Sequence, residues 1–275
     1  MKAAAFLAFA AVAIAADLKV DHITIAASDL AAARKTLAAQ GIATEYGGKH
    51  ANGETEMALA SFPDGSYLEI IAPQPGRDAS SHYWAKFMLH DGGPCAWAIT
   101  SADLAADQSR LQAAGIAIQR QRNGRTRPDG VELKWETANV GPGAPGSFFP
   151  FLIHDETPRE RRVYPQGKPT TRKISGVRYV VVAVKNLDDA IAKYRAAFSL
   201  GEPKIEHTRA WFPGTPVILE SGLADRLGKF GEGPCAFILA SETILASEAM
   251  TGASERWFSQ TIHWIDSNHW LGQVR

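Results

Sequence analysis

The sequence predicts an α+β protein: tandem βαβββ modules paired into two domains, the last module shortened. Two observations carry this. Residues 21–42 (DHITIAASDLAAARKTLAAQGI) and 95–116 (CAWAITSADLAADQSRLQAAGI) share one plan of apolar strand, Asp-Leu, helix and Gly-Ile. Asp29, Leu30, Leu37, Gly41 and Ile42 recur 74 residues on as Asp103, Leu104, Leu111, Gly115 and Ile116, without a gap. A third copy runs from Val177 to Gly201, with Leu187 lying 157 residues after Leu30. Self-similarity at a fixed spacing is the signature of a modular architecture.

Each element follows from local chemistry. Val20 to Ala26 is an apolar strand. Ser28 or Asp29 caps the next helix by accepting from its free first-turn N–H groups. Leu30, Ala33 and Leu37 form the buried stripe of that helix. Gly41 ends it, because glycine takes the left-handed conformation cheaply. Strands are expected at Ile42–Tyr46, Glu56–Phe62 and Ser66–Ala72, with a tight turn at Pro63-Asp64-Gly65. The second module gives a strand at 95–100, a helix at 103–114, strands near 116–122 and 131–139, a Gly/Pro loop from Gly141 to Gly146, and a strand from Phe148 to Ile153. Residues 155–174 are polar and basic with three prolines, and read as a linker whose arginines form a solvated face. In the third module Leu187, Ile191, Tyr194 and Phe198 make the helix stripe, and the module runs to about Glu220. The fourth begins at Gly233-Pro234-Cys235; it carries a weak helix signal over 241–257 and is expected to end in a strand near Ile262–Ile265 or Leu271–Val274. The expected division is a leader (1–16), a first domain (17–155), a linker (156–174) and a second, degenerate domain (175–275).

The chain has 275 residues, and Lys+Arg and Asp+Glu are both 29, so no global charge steers it to nucleic acid or an anionic membrane. Apolar residues make up 45%, as in an ordinary packed core. Residues 1–16 have one Lys, an apolar run and small residues, the pattern of a signal peptide. The run is too short to span a bilayer. Cleavage near Ala16 would deliver a secreted or periplasmic protein. Cys95 and Cys235 are the two cysteines, each in Gly-Pro-Cys-Ala and each in an apolar strand, where a free thiol behaves as a small buried hydrophobe.

Tandem βαβββ modules resemble the vicinal-oxygen-chelate superfamily of glyoxalase I, extradiol dioxygenases and bleomycin-resistance proteins. More narrowly, residues 47–73 resemble the glyoxalase-like domain proteins, through Gly47-Gly48-Lys49-His50, Thr55, Ala58-Leu59 and Gly65-Ser66-Tyr67-Leu68-Glu69. The resemblance implies a cleft shared by paired modules, with metal ligands on the first and last strands of each. His22 and Glu69 match those positions in the first module. The counterpart of His22 is Ala96 in the second module and Tyr179 in the third, neither a match. The resemblance thus implies a divalent metal (Zn, Fe, Mn or Ni) in the first domain, a small-molecule ligand or substrate, and a lyase or isomerase type of reaction. The alternative is sequestration of a small molecule without chemistry. A third reading makes the second half a structural or dimer-forming pseudo-domain, and a homodimer is expected with it.

The residues themselves bear on this. Glu69 shares a strand face with Tyr67 and Ile71 by the two-residue period. A carboxylate among such neighbours is costly to bury unless paired or bound to a cation. His-plus-carboxylate suits Zn²⁺, Fe²⁺ or Mn²⁺, and His22 is otherwise a structural hydrogen-bonding residue. Two ligands rarely suffice, so His50, Glu56 or His154 would supply a third. His50 follows two glycines in a loop, where ligands are usually met. His50 and Glu56 are the expected acid–base residues. Tyr67, Trp84 and His154 are the expected substrate contacts. Tyr83 and Trp84 otherwise read as core anchors. No Gly-x-Ser-x-Gly elbow, phosphate loop or His-Glu-x-x-His occurs.

Overall fold

The computed structural model describes residues 18–240, together with the backbone of two later strands at 254–257 and 260–263. The leader and the strand expected at Leu271–Val274 lie outside the described residues. The first module comprises β1 (Val20–Ala26), α1 (Leu30–Ala39), β2 (Glu45–Lys49), β3 (Thr55–Ser61) and β4 (Tyr67–Pro73). After a short α2 (Ala85–Leu89), the second comprises β5 (Gly93–Thr100), α3 (Leu104–Ala113), β6 (Ile118–Thr126), β7 (Glu132–Val140) and β8 (Phe151–Asp155). A further helix, α4 (Arg159–Val163), precedes the third module: β9 (Gly176–Ala183), α5 (Leu187–Phe198), β10 (Lys204–Glu206), β11 (Arg209–Trp211) and β12 (Val217–Glu220). Then come α6 (Ala224–Phe230), β13 (Gly233–Ala240), β14 (Ser254–Trp257) and β15 (Gln260–His263).

The repeated caps do what their chemistry predicts. Asp29 accepts from the Ala32 N–H, Asp103 from Ala105 and Ala106, and Asn186 from Asp189. Gly41 and Gly115 both close their helices at positive φ, +77° and +72°.

The first two modules form one eight-stranded sheet in the order β2-β3-β4-β1-β5-β8-β7-β6. β1 and β5 join them in antiparallel register through Ile23 and Trp97, and each runs parallel to the last strand of its own module. The third module makes a five-stranded sheet, β10-β11-β12-β9-β13, which repeats the order β2-β3-β4-β1-β5. β13 thus stands where β5 would, and among the described residues no later strand joins that sheet. Its chain returns as the β14–β15 hairpin, so the expected strand falls at Gln260–His263.

Strand alternation divides the first sheet into two faces. Ile23, Ile25, Leu68, Ile70, Trp97 and Leu152 face the helices, and share one core cluster with Leu37, Leu111, Tyr194 and Phe198. The helix stripes and both halves of the chain therefore close on a single core. His22, Thr24, Glu69, Ala96 and Phe151 belong to the opposite face, where Met88 of α2 joins Ala96 and Phe151 in a second, smaller cluster.

Two expectations need correction. β2 starts three residues later than expected and runs on to Lys49, with a bulge in its register between Tyr46 and Gly48. Gly47 makes the bulge possible: a Cβ there would stand 2.3 Å from Leu59 Cδ1. Gly48 follows at φ +110°. The basic segment 156–174 is not simply a solvated linker either. It holds α4, and Arg162 is only 3% exposed, because carboxylates inside the fold neutralise it. Both cysteines are free and buried, and their thiols donate to the equivalent carbonyls of Thr24 and Val181. No helix among the described residues is long and apolar enough to cross a membrane.

Trp97 is fully buried at the junction of the two modules, and its indole N–H has no hydrogen-bond partner. Trp97→Ala should therefore cost about 3–5 kcal/mol in urea unfolding. Trp97→Phe, which fills most of the space and removes the unpaired donor, should cost clearly less.

Candidate functional site

The register of β1 with β4 sets Thr24 beside Glu69, with His22 two residues earlier on the same face. The Thr24 hydroxyl donates to Glu69 Oε2 at 3.0 Å. His22 Nε2 faces the same oxygen at 3.7 Å. The third group arrives from the turn after Gly47-Gly48. Asn52 Oδ1 accepts from the N–H groups of Glu54 and Thr55, and the His50 N–H donates to the Thr55 carbonyl. This small turn fixes His50 with Nδ1 2.8 Å from Thr55 Oγ1 and Nε2 3.3 Å from Glu69 Oε1. Two imidazoles thus converge on one carboxylate.

Behind His22 lies a buried charge network. His22 Nδ1 stands 2.6 Å from Oδ1 of Asp21, which has no exposure. Arg162 meets both oxygens of Asp21, at 3.1 and 2.9 Å, and both oxygens of Asp155, at 2.5 and 2.7 Å. Its Nη1 also donates to the Tyr67 hydroxyl at 2.7 Å. Arg159 adds a second contact to Asp21. The Tyr67 ring stacks on His22 at 4.7 Å between centroids.

The electrostatics follow from these partners. Burial alone would raise the Asp21 carboxyl, but the Arg162 charge, the His22 hydrogen bond and the Arg159 charge outweigh it and hold the group well below the carboxylate range. Asp21 is therefore an anion and can only accept, so His22 Nδ1 carries the proton and Nε2 is left to face Glu69. Burial likewise opposes ionisation of Glu69, yet the hydrogen bonds from His50 and Thr24 and the charges of both histidines bring it down to about 2. Burial pushes the Tyr67 hydroxyl far up, so it stays a phenol.

These groups form the floor of a cleft of about 690 Å³ between the two modules. One wall is His22, His50, Met57, Leu59, Tyr67 and Glu69. The other is Gln121, Asn123, Arg125, Trp135, Thr137, Phe151 and Ile153, and Tyr83 and Trp84 stand at the side. The second module does not copy the chemistry of the first. Ala96 lies 74 residues after His22. Thr24 pairs with Glu69, and Ala98, 74 residues after Thr24, pairs with Phe151. Alanine and phenylalanine thus occupy the places of His22 and Glu69.

Of the residues expected from sequence, His22, His50, Tyr67, Glu69 and Trp84 meet in this cleft. Glu56 and His154 do not line it. Met57 and Leu59 take the cleft face of β3, which turns Glu56 to the other side, where it accepts from the Tyr46 hydroxyl at 2.9 Å. Phe151 and Ile153 do the same on β8, and His154 Nδ1 donates to the Ser101 carbonyl at 2.9 Å. Asp21, Arg162 and Arg125 were not anticipated. The Asp-His dipeptide and the Arg-Glu-Arg-Arg run were visible signals, but not their meeting. Among the described residues, no group of three or more His, Cys, Asp or Glu side chains is already disposed to hold a metal ion.

Residues 20–198 match the family model described as a glyoxalase-like domain. No curated protein matches the sequence. Solved structures share the fold at low identity. A hypothetical protein from Staphylococcus aureus aligns over 90% of this chain and 99% of its own, at 15% identity and a TM-score of 0.69. A mutant 4-hydroxymandelate synthase from Streptomyces coelicolor aligns over 82% and 71%, at 12% and 0.52. A Mn(II)-bound glyoxalase from Novosphingobium aromaticivorans aligns over 84% and 68%, at 8% and 0.51.

Removing Arg162 would strand Asp21 as a buried, poorly compensated anion. Arg162→Met should cost about 3–5 kcal/mol by urea unfolding. Acid should act on the same cluster. The Glu69 carboxyl falls from 4.5 to about 2 on folding, so its contribution to stability is complete above pH 4.5 and is lost as pH falls towards 2. Asp21 shifts in the same direction. Unfolding at stepped pH should show this decline, and Glu69→Gln should make it shallower.

Proposed function

The chain belongs to the glyoxalase-like domain family, and from that premise we propose that it is a small-molecule enzyme of the isomerase or lyase kind, with its active site in the first module. One observation carries the reading. The Nε2 atoms of His22 and His50 are both turned to the single ionised carboxylate of Glu69, on the floor of a cleft large enough for a small metabolite.

The residues divide the work. Glu69 keeps its charge at ordinary pH and is too weak a base to take a proton itself, so it stabilises positive charge on the imidazoles beside it. His22 is oriented by Asp21 in the manner of a carboxylate-backed general base, and its Nε2 is the atom that exchanges a proton with the substrate. Arg162 and Arg159 hold Asp21 in its anionic form, so the proton stays on the imidazole. His50, more exposed and carried on a turn, supplies the second proton position. The reaction class is proton transfer at a carbon next to substrate oxygens.

Two of these groups, the His22 imidazole and the Glu69 carboxylate, are of the types that bind a divalent cation, although among the described residues no third carboxylate, imidazole or thiol is already disposed around them. With Nδ1 committed to Asp21, His22 Nε2 faces the Glu69 carboxylate at 3.7 Å, an arrangement completed by positive charge between the two. His22 and Glu69 would hold the ion, which would polarise vicinal oxygens of the substrate, and the proton would then pass through His50, because a metal-bound His22 Nε2 has no lone pair left to take it. The Mn(II) of the structurally similar Novosphingobium glyoxalase supports this reading. A second reading, binding without chemistry, is favoured by Ala96 and Phe151, which leave the second wall without ligands.

Two experiments separate these readings. The first follows deuterium uptake from D2O by NMR in a panel of α-oxo and α-hydroxy carbonyl compounds. The wild type should exchange the proton next to the carbonyl, and His22→Ala should lose about 10²-fold or more. A compound that binds without exchange by the wild type would favour sequestration. The second measures metal content after reconstitution with Mn, Zn, Fe or Ni. Stoichiometric metal should be present in the wild type and lost in His22→Ala and Glu69→Ala, and its absence from the wild type would remove the metal from the reading.

A further inference from the structure

We propose that the ligand of this cleft carries a carboxylate group, and that Arg125 is the residue that binds it. The inference rests on reading the cleft as a substrate site, but not on the reaction performed there. Arg125 stands on β6, in the wall that the second module contributes, and is only 8% exposed. Its Nη1 donates to the Gly47 carbonyl at 2.7 Å. Among the described residues, its Nε and Nη2 have no protein acceptor and no Asp or Glu lies within ion-pair distance of it.

Arg162 shows how this fold treats a buried guanidinium that finds its partners within the protein. It is met by two carboxylates and a tyrosine hydroxyl. Arg125 has one carbonyl. Burial lowers its affinity for the proton, and the charges of Arg162 and Arg127 act in the same sense, while Glu69 in the same cleft offsets them in part. A buried charge with unused donors is expensive to keep unless something else pairs with it. The remaining N–H groups of a planar fork suit two coplanar oxygens.

A carboxylate fits better than a phosphate dianion, because Glu69 places a negative charge in the same cleft. The seat lies on the Gly-Gly pair: Gly47 supplies the carbonyl that holds Nη1, and Gly48 follows at φ +110°, a conformation that favours glycine. The remaining wall is partly apolar, with Met57, Leu59, Trp84, Trp135 and Phe151, so an acid bearing an aryl or branched apolar group matches it.

Phenylacetate and its neutral partner phenylacetamide test this, with phenyl phosphate as the third probe. Binding is read by ligand-observed NMR and by quenching of the cleft tryptophans. The wild type should bind phenylacetate and prefer it to both other probes. Arg125→Gln keeps a donor for Gly47 and removes the charge, and should weaken phenylacetate roughly tenfold to a hundredfold. Its weak binding of the amide should not change. Arg125→Lys keeps the charge without the fork, should fall between, and carries the comparison if the glutamine variant fails to fold. Failure of the wild type to bind phenylacetate, equal binding of acid and amide, tighter binding of the phosphate, or undiminished acid binding in both variants would overturn the proposal. Because binding is read without turnover, an acid that depends on Arg125 but never exchanges deuterium leaves this site standing and removes the proposed reaction. Exchange that is indifferent to Arg125 does the reverse.

Discussion

Asp21 sits in the central strand of the first sheet with no exposure to water. A carboxylate there is tolerable because Arg162, reaching in from α4, meets both of its oxygens. The rest of the site depends on that pairing. It keeps Asp21 ionised, which places the ring proton of His22 on Nδ1. It leaves Nε2 facing Glu69, and it also ties down the Tyr67 hydroxyl, whose ring stacks on His22. The segment that supplies Arg162 lies between the two halves of the chain, so the connection is also the back wall of the chemistry.

The repeated module explains why this network occurs once. β1, β5 and β9 occupy equivalent places, and the register carries each module's first and last strands into the same alignment. A scaffold of this kind offers the same cleft-facing positions in every copy. In the second module those positions hold Ala96, which is fully buried, and Phe151, which gives the cleft an apolar wall opposite its polar floor. In the third, Tyr179 stands in the place of His22. Duplication has kept the caps, the helix stripes and the strand order while the reactive side chains diverged. The third module packs through Tyr194 and Phe198 of α5 and Val180 of β9 into the core behind the first sheet, and so supports the strands that carry the site.

Much of this was legible in the sequence. The caps Asp29, Asp103 and Asn186, the stripe residues and the spacing of 74 specify the modules locally. The two-residue period placed Tyr67 and Glu69 on one face, and the Gly-Gly-x-His run brought His50 beside them. What stayed hidden depended on long-range pairing. Arg162 is separated from Asp21 by 141 residues, and nothing in a basic, proline-rich stretch says that one of its arginines turns inward. Glu56 and His154 were misplaced for a simpler reason. A shift of one residue in a strand reverses its faces, and their strands put Met57, Leu59, Phe151 and Ile153 into the cleft instead.

The central claim is that a buried, anionic Asp21 fixes the orientation and tautomer of His22. Nitrogen-15 NMR of the histidine side chains measures this directly. His22 Nδ1 should carry a proton hydrogen-bonded to Asp21 as long as Asp21 is ionised, and Asp21→Asn should abolish this signature while leaving that of His50 in place. A His22 ring protonated on Nε2 alone, with Nδ1 bare, would contradict it.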